Sequence, residues 1–354
     1  MTFIYFLIAL TVIICLHELG HLIAAKIFGV YCYEYSFGMG PVLLQKKGKE
    51  TNYSIRAIPI GGFVSMAGET DGDELYPDVE VPDERRLTNQ KPWKKIIIML
   101  AGVFMNFVLA WVIFSLVLLG NGSYSLSPKA EVAAVTENSP ADKAGIKVGD
   151  KIIKIESEDG RSIKPDTFLE MRTFVLETEN QTLTYTIDRD GEEITLSVTP
   201  EYNEEYEMYM IGITGPDATV VSINLLNCWY YGIGVFNMMW QLMISAIINL
   251  FKGIGLENLS GPVGIYSATA ESVSYGMSSY FLLIGELSLN VGICNLLPLP
   301  VLDGGQVVVT LVEWIIGKPV NKKVKTVIMV ICWVLLIALM LFVTCKDILK
   351  IIGG

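Results

Sequence analysis

Histidine is almost missing from this chain. Two occur in 354 residues, His17 and His21. Any site built from three or four imidazoles is therefore excluded. Charge is scarce as well. Asp, Glu, Lys and Arg make up 18% of the residues, against about 25% in a typical soluble domain. Hydrophobic residues reach 52%. That balance excludes a disordered regulator and argues against an ordinary cytosolic enzyme. Basic excess is absent too. The net charge of −11 argues against nucleic acid as a partner, because phosphate binding needs a basic surface. The six cysteines include no CxxC pair and sit mostly in apolar runs. They read as small buried hydrophobes, not as a disulfide framework or a zinc ribbon.

What is present is long apolar runs. Crossing a bilayer takes about 20 apolar residues. Residues 1–25, 96–120 and 326–345 meet that length. A fourth stretch, 280–302, is apolar but broken by Glu286, Asn290, Asn295, Pro298 and Pro300. Such residues are tolerated at membrane depth only where they face protein or a water-filled cavity. The first run lacks a basic start and a small-residue cleavage site, so it reads as a retained span and not as a cleavable signal peptide. No Lys or Arg precedes Lys26, ten lie from Lys26 to Lys95, and Lys318, Lys322, Lys323 and Lys325 precede the last run. The positive-inside rule places both basic loops in the cytoplasm and the region between the second and third spans outside. Lys346 and Lys350 are a mild exception. The uncharged stretch 220–251 carries several Asn and Gln. As a span it would reverse the sidedness of the four-lysine loop. It reads as one or two helices lying on or dipping into the outer leaflet.

The expected architecture is a polytopic α-helical membrane protein with about four transmembrane helices, a membrane-associated β-hairpin and an inserted extracytoplasmic domain. Residues 1–120 hold the first two spans and the hairpin, 121–215 the inserted domain, 216–279 surface helices, and 280–354 the last two spans. The insert is acidic. Residues 121–228 contain 20 Asp and Glu against 9 Lys and Arg, while the rest of the chain has 17 of each. Strands are expected over 131–135, 151–155, 183–188 and 194–199. Before the second of these stands Pro140-Ala141-Asp142-Lys143-Ala144-Gly145-Ile146-Lys147-Val148-Gly149-Asp150, which resembles the PDZ signature PAxxAGxxxGD. A short helix should end at Gly145, and Gly149-Asp150 should turn the chain into the next strand. Ile211-Gly212-Ile213 looks like the segment that lines the peptide groove in bacterial PDZ domains. On the cytoplasmic side, residues 42–45 and 53–56 flank a charged turn through Gly48, and a glycine loop with Gly61 and Gly62 follows. This reads as a β-hairpin whose exposed edge could take an unwound substrate as an added strand. Residues 69–92, rich in Asp, Glu and Pro, read as a cytoplasmic loop.

The chemistry lies in the first span. His17-Glu18-Leu19-Gly20-His21 is HExxH. On a helix it places two imidazoles one turn apart on one face, spaced for zinc, with the Glu close to the metal-bound water. A catalytic zinc usually has three protein ligands and an open position. With no third histidine, the remaining donor must be a carboxylate or a thiolate. Asp303 is the best placed, after Asn295-Leu296-Leu297-Pro298-Leu299-Pro300-Val301-Leu302 and before Gly304-Gly305. Glu286 lies farther outward, and Cys294 is a less apt candidate. His17 lies roughly 25 Å along a helix from residue 1, near the cytoplasmic side of a roughly 30 Å core. The broken span reaches Asp303 after a comparable path.

HExxH in the first span, one PDZ-like insert, Gly261-Pro262-Val263-Gly264 and NxxPxPxLDGG in a later span together resemble the site-2 protease family of intramembrane metalloproteases, nearest the bacterial regulator-of-sigma-E protease type. The resemblance implies Zn2+ held by His17, His21 and Asp303, with Glu18 as the catalytic acid/base. It implies that Asn295 helps position substrate; Pro298, Gly61 and Gly62 are further candidates for substrate contact. Gln306 stands where many relatives place a His. The implied substrates are single-span membrane proteins, already clipped by another protease, such as anti-sigma factors or remnant signal peptides. The implied location is the bacterial cytoplasmic membrane, with the active site toward the cytoplasm. An ectodomain above the site could exclude untrimmed substrates. Two other readings are a non-proteolytic PDZ adaptor or chaperone with a structural metal, and a metal transporter using the same ligands. Neither needs a Glu beside the ligands.

Overall fold

A computed structural model describes residues 2–353 apart from 70–72, 74, 179, 205, 207 and 252–258. In chain order it contains α1 (Thr2–Ile27), β1 (Cys32–Lys47), β2 (Asn52–Met66), α2 (Pro92–Asn121), β3 (Ser123–Leu126), β4 (Ala134–Val135), α3 (Pro140–Ala144), β5 (Lys151–Ser157), β6 (Ser162–Ile163), α4 (Phe168–Thr178), β7 (Leu183–Arg189), β8 (Glu192–Val198), β9 (Glu201–Asn203), β10 (Met208–Met210), β11 (Ile213–Thr214), β12 (Thr219–Ser222), α5 (Cys228–Phe251), α6 (Pro262–Tyr275), α7 (Met277–Asn295), α8 (Asp303–Ile316) and α9 (Lys322–Gly353). These elements form two units, Met1–Asn121 with Asn224–Gly354, and Gly122–Ile223.

In the first unit, helices meet through small residues. An apolar solvent gives no hydrophobic drive between helices, so close van der Waals contact must hold them. Ala9, Ile13, His17, Gly20, His21 and Ala24 make the buried face of α1. On α2, Ile98, Gly102, Asn106, Ala110 and Phe114 recur every fourth residue and are buried. Gly285, Ser288 and Gly292, spaced by three and four residues, form a buried face on α7. A Cβ on Gly20 would come within 2.3 Å of the Ala101 carbonyl oxygen. Tyr280 donates to the Tyr5 carbonyl at 2.8 Å, which fixes the far ends of α1 and α7 together.

The hairpin is longer than the sequence suggests. β1 pairs with β2 twice over. Residues 32–37 run beside 62–66 (Ser36↔Phe63, Phe37↔Gly62), residues 34–37 also run beside 52–55, and residues 52–56 in turn pair with 42–47. The stretch with Gly61 and Gly62, expected as a loop after the hairpin, is part of β2. The reason is non-local: Gly62 lies flat against the Ser36 carbonyl and Cys15 Sγ, and Gly61 faces the Met39 and Ile14 side chains. Within the sheet, fully buried Glu34 accepts from both Arg56 Nη2, at 2.8 Å, and Nε. Tyr76, from the expected loop 69–92, also donates to Glu34.

Among the described residues, five helices are long and apolar enough to cross a membrane: Thr2–Ile27, Pro92–Asn121, Cys228–Leu250, Met277–Asn295 and Lys323–Leu349. This fits a polytopic membrane protein. The stretch 220–251 is a single helix from Cys228, lying along α2 through Trp111–Trp229, Phe107–Phe236 and Phe107–Trp240 ring contacts. Residues 252–258 of the expected surface region lie outside the described residues. The break in the 280–302 run falls after Asn295, and a separate helix starts at Asp303. At the other end of the unit, Asp347 on α9 accepts from the amides of Gly261 and Gly264 at 2.8 and 2.9 Å. It caps α6 from a distance of more than 80 residues in sequence, which gives the Gly-Pro-Val-Gly element a structural role.

The second unit is a four-stranded sheet in the order β6-β5-β7-β8 with α3 and α4 packed on it. Of the strands expected, 131–135 shrinks to β4, and the other three are present as β5, β7 and β8. The unit runs to Ile223 and not to 215, because β12 returns to pair with β3 (Ser222↔Ser123 to Thr219↔Leu126). Ser139 caps α3 and Gly145 ends it with φ +86°. The last residue of the PDZ-like signature, Asp150, is held by Arg189 through two 2.7 Å bonds. Burial by itself raises the Asp150 carboxyl, but Arg189 and the Lys147 amide offset this and hold it below the ordinary aspartate range. A lowered folded value means the contribution is complete above about pH 4 and is lost as pH falls through the folded value. Asp150→Asn is expected to cost about 2 kcal/mol at pH 7 and to remove that share of the acid sensitivity. Hydrogen exchange of this unit in the full-length protein, followed against pH, checks it. Equal acid profiles for the two proteins would refute the assignment.

Candidate metal centre

α1 carries His17 and His21 one turn apart, with their Nε2 atoms 3.2 Å from each other. Asp303, the first residue of α8, brings Oδ2 to 3.1 Å from His17 Nε2 and 3.5 Å from His21 Nε2. This oxygen is buried and makes no hydrogen bond of acceptable geometry. A tetrahedral zinc with ligands about 2.0–2.1 Å away separates them by roughly 3.3–3.4 Å. The three observed edges, 3.1, 3.2 and 3.5 Å, have that size. Two imidazoles and a carboxylate are also a usual catalytic donor set for zinc, leaving a fourth position open. The residues present therefore fit the ion. Among the described residues, His17, His21 and Asp303 are the one group of His, Cys, Asp and Glu side chains with such convergence. Cys294 is exposed and donates to Asn290 Oδ1. Neither it nor Glu286 lines the cavity at the centre.

How Asp303 reaches the histidines follows from the two glycines after it. A Cβ on Gly304 would sit 2.3 Å from the Leu296 carbonyl oxygen, and one on Gly305 2.0 Å from that of Leu299. Any side chain would push the start of α8 away from the 296–302 turn. Gln306 donates from Nε2 to the Pro300 carbonyl at 2.8 Å, so it ties down the same turn and takes no part in the donor set.

Glu18 faces a cavity of about 360 Å³ that His17, His21, Asp303 and Asn295 also line. Its Oε2 accepts from the Val64 amide at 3.1 Å. That amide belongs to the 62–66 segment, the outer edge of the sheet. The hairpin is held there by Tyr35, which donates to the Cys15 carbonyl at 2.8 Å, and by Thr11, which donates to the Pro59 carbonyl at 2.9 Å. Gly61 and Gly62 do not line the cavity. They pack against Ile14 and Cys15 and bring Val64 to Glu18. Pro298 does not line it either; it lies in the turn between α7 and α8. In the other unit, Ile211, Gly212 and Ile213 line a groove of about 290 Å³ against Phe168, Met171 and Val175.

Sequence reasoning passed over α2. His21 Nδ1 lies 2.8 Å from the Ile98 carbonyl oxygen. His17 Nδ1 lies 3.2 Å from the Asn106 side-chain amide. Gly102, between them, leaves room for both rings: a Cβ there would lie 2.4 Å from His21 Nε2 and 2.8 Å from His17 Cε1. The signal was a lone Asn four residues after a Gly in an otherwise apolar span. Glu69, which also lines the cavity, follows the sheet directly.

The model of Peptidase family M50 matches residues 5–339. A protein of Clostridium perfringens with the name "Putative zinc metalloprotease" is 36% identical over 354 residues, with 99% of each chain covered. Regulator of sigma-W protease RasP of Bacillus subtilis is 30% identical over 424 residues, again with 99% of each covered. Among solved structures, the PDZ domain of an SdrC-like protein from Listeria innocua matches 25% of this chain and 92% of that one, at 25% identity and a TM-score of 0.21.

Proposed function

This chain belongs to Peptidase family M50, the site-2 protease family, and is a metalloprotease of the membrane; from that premise we propose that it hydrolyses peptide bonds within the transmembrane segments of single-span proteins. The observation that carries the reading is the meeting of His17, His21 and Asp303 beside Glu18 in one cavity between apolar helices.

Topology supports the depth of the site. Tyr5 meets Tyr280 at one end, and His17 meets Asp303 at the other, so α1 and α7 run in the same direction. Between them α2 returns once. A further crossing by α5 would need another to restore the direction. At 14 residues, α6 spans roughly 21 Å, short of a roughly 30 Å core. Four spans, α1, α2, α7 and α9, agree with this and with the positive-inside rule. The basic loops then lie in the cytoplasm, the PDZ-like unit outside, and the active site toward the cytoplasmic face.

His17, His21 and Asp303 would hold the zinc, which when bound would supply Lewis acidity toward the scissile carbonyl and the attacking water, as hydrolysis near pH 7 requires. Glu18 keeps Oε2 on the Val64 amide and uses Oε1 to take a proton from water and return it to the leaving nitrogen. Asn295, at the end of α7, orients the substrate carbonyl with its amide. A helical substrate hides its peptide bonds and must unwind. The 62–66 edge beside Glu18 offers main-chain partners to the unwound segment, as an added strand. Glu18 separates this reading from an adaptor with a structural metal, where a carboxylate held next to the donor set has no task. In the second unit the groove at Ile211–Ile213 is suited to an apolar peptide segment. The name of the Bacillus relative refers to the regulation of sigma-W; membrane-anchored regulators of sigma factors, trimmed beforehand, are the substrate class of this reading.

The test is the full chain reconstituted in liposomes with a single-span reporter. Product termini should map within the reporter's apolar segment. Cleavage confined to soluble flanks, with the span intact, would overturn the proposal.

A further inference from the structure

We infer that Asn106 is a positioning residue for the metal centre: its side-chain carbonyl takes the Nδ1 proton of His17 and so leaves His17 Nε2 bare for the ion. The inference rests on the reading of His17, His21 and Asp303 as the zinc donors and deepens it.

An imidazole can ligate through Nε2 only when that nitrogen carries no proton, and in a neutral ring the proton then sits on Nδ1. His21 has this state fixed, because its Nδ1 faces the Ile98 carbonyl oxygen at 2.8 Å, and a carbonyl can only accept. His17 faces the Asn106 amide instead, and the atom placed 3.2 Å from its Nδ1 is the amide nitrogen, Nδ2. A side-chain amide presents either an acceptor or a donor by turning over, and the two ends are nearly alike in shape. With the nitrogen toward Nδ1, the ring is forced to carry its proton on Nε2, among the donors, where it blocks coordination. With the oxygen toward Nδ1, both histidines offer bare Nε2 atoms to the same point. As placed, the Asn106 Oδ1 is buried and meets no hydrogen-bond partner among the described residues, so turning the amide over gives up no other bond and brings the oxygen to Nδ1. Nδ1 is thus the group that sets its orientation.

The surroundings hold Asn106 in place. It is fully buried. Ser288 on α7 donates to its main-chain carbonyl at 2.9 Å, and Gly292 lets α7 close to its Cβ. Gly102, one turn earlier on α2, admits both rings. α2 thereby supplies an acceptor to each histidine, one from the main chain and one from a side chain. Outer hydrogen bonds of this kind orient the ring, set its tautomer and typically contribute 10–100-fold to metal affinity.

The experiment measures zinc affinity of the full chain in detergent by competition with a chromophoric chelator, together with the visible spectrum of the Co2+-loaded protein. Asn106→Leu should bind zinc 10–100-fold more weakly and show an altered cobalt band. Asn106→Asp, which can only accept, should keep affinity within about threefold and keep the wild-type band, because a carboxylate serves the same role. If Asn106→Leu does not fold, Asn106→Ser, too short to reach Nδ1, takes its place. Wild-type affinity in the Leu or Ser variant overturns the inference. So does an Asp variant as weak as the Leu variant, since that marks a donor or packing role. His17→Ala separates the two levels: if it too binds as wild type, the donor assignment fails, and if it alone loses zinc, only the role of Asn106 fails.

Discussion

Glu18→Gln is expected to slow cleavage by about 10²–10⁴-fold while the protein keeps its full zinc content. The size follows from removing a positioned proton acceptor and donor from the reaction. The preserved metal follows from geometry. Glu18 is not among the three converging donor atoms, and its Oε2 is occupied by the Val64 amide. A glutamine places its carbonyl oxygen on that same amide and leaves an NH2 group where a base is needed. Shape, hairpin contact and metal are retained, and proton transfer is lost. Cleavage of the liposome reporter and zinc content, measured on the same preparation, check both halves. Undiminished turnover would remove Glu18 from the mechanism, and loss of zinc would make it part of the donor set.

Asp303→Ala should fail at an earlier stage. Four-ligand structural zinc sites in peptides bind with about 10–16 kcal/mol. Shared over four ligands, one donor carries roughly 2.5–4 kcal/mol, or about 10²–10³-fold in affinity. At zinc levels set by a chelator buffer the variant should be apo and inactive, and excess zinc should restore metal in part. Glu18→Gln should respond to zinc not at all. This contrast separates the residue that holds the ion from the one that moves the proton. An Asp303→Ala protein with wild-type zinc affinity would mean that another side chain completes the site.

The parts legible in the sequence are those in which chemistry forces both residue type and spacing. HExxH is readable because only the i, i+4 relation brings two imidazoles to one ion from one helix. Asp303 was readable because an acid flanked by helix-breaking prolines and two glycines is improbable at membrane depth without a task. Its glycines prove to be contact sites, with the Leu296 and Leu299 carbonyls where side chains would be. Less legible was anything decided by pairing distant segments. The sheet of β1 and β2 folds back on itself, and no local pattern records which segment lies beside which. Gly61 and Gly62, read from the sequence as a loop with candidates for substrate contact, lie within β2 and pack against α1. The closing strand β12 lies beyond the expected end of the insert because its partner is almost 100 residues earlier. Asn106 was overlooked for a similar reason. In a helix that reads as uniformly apolar, one amide has meaning only once His17 is seen to face it.

The central claim is that two imidazoles and one carboxylate hold zinc between the membrane helices. X-ray absorption at the zinc K-edge of the purified full-length protein tests it most directly. The expected spectrum has one zinc per chain, a nitrogen and oxygen shell at about 2.0–2.1 Å, and outer-shell scattering from two imidazoles. A sulfur shell at about 2.3 Å, or scattering from no imidazole, would contradict the account.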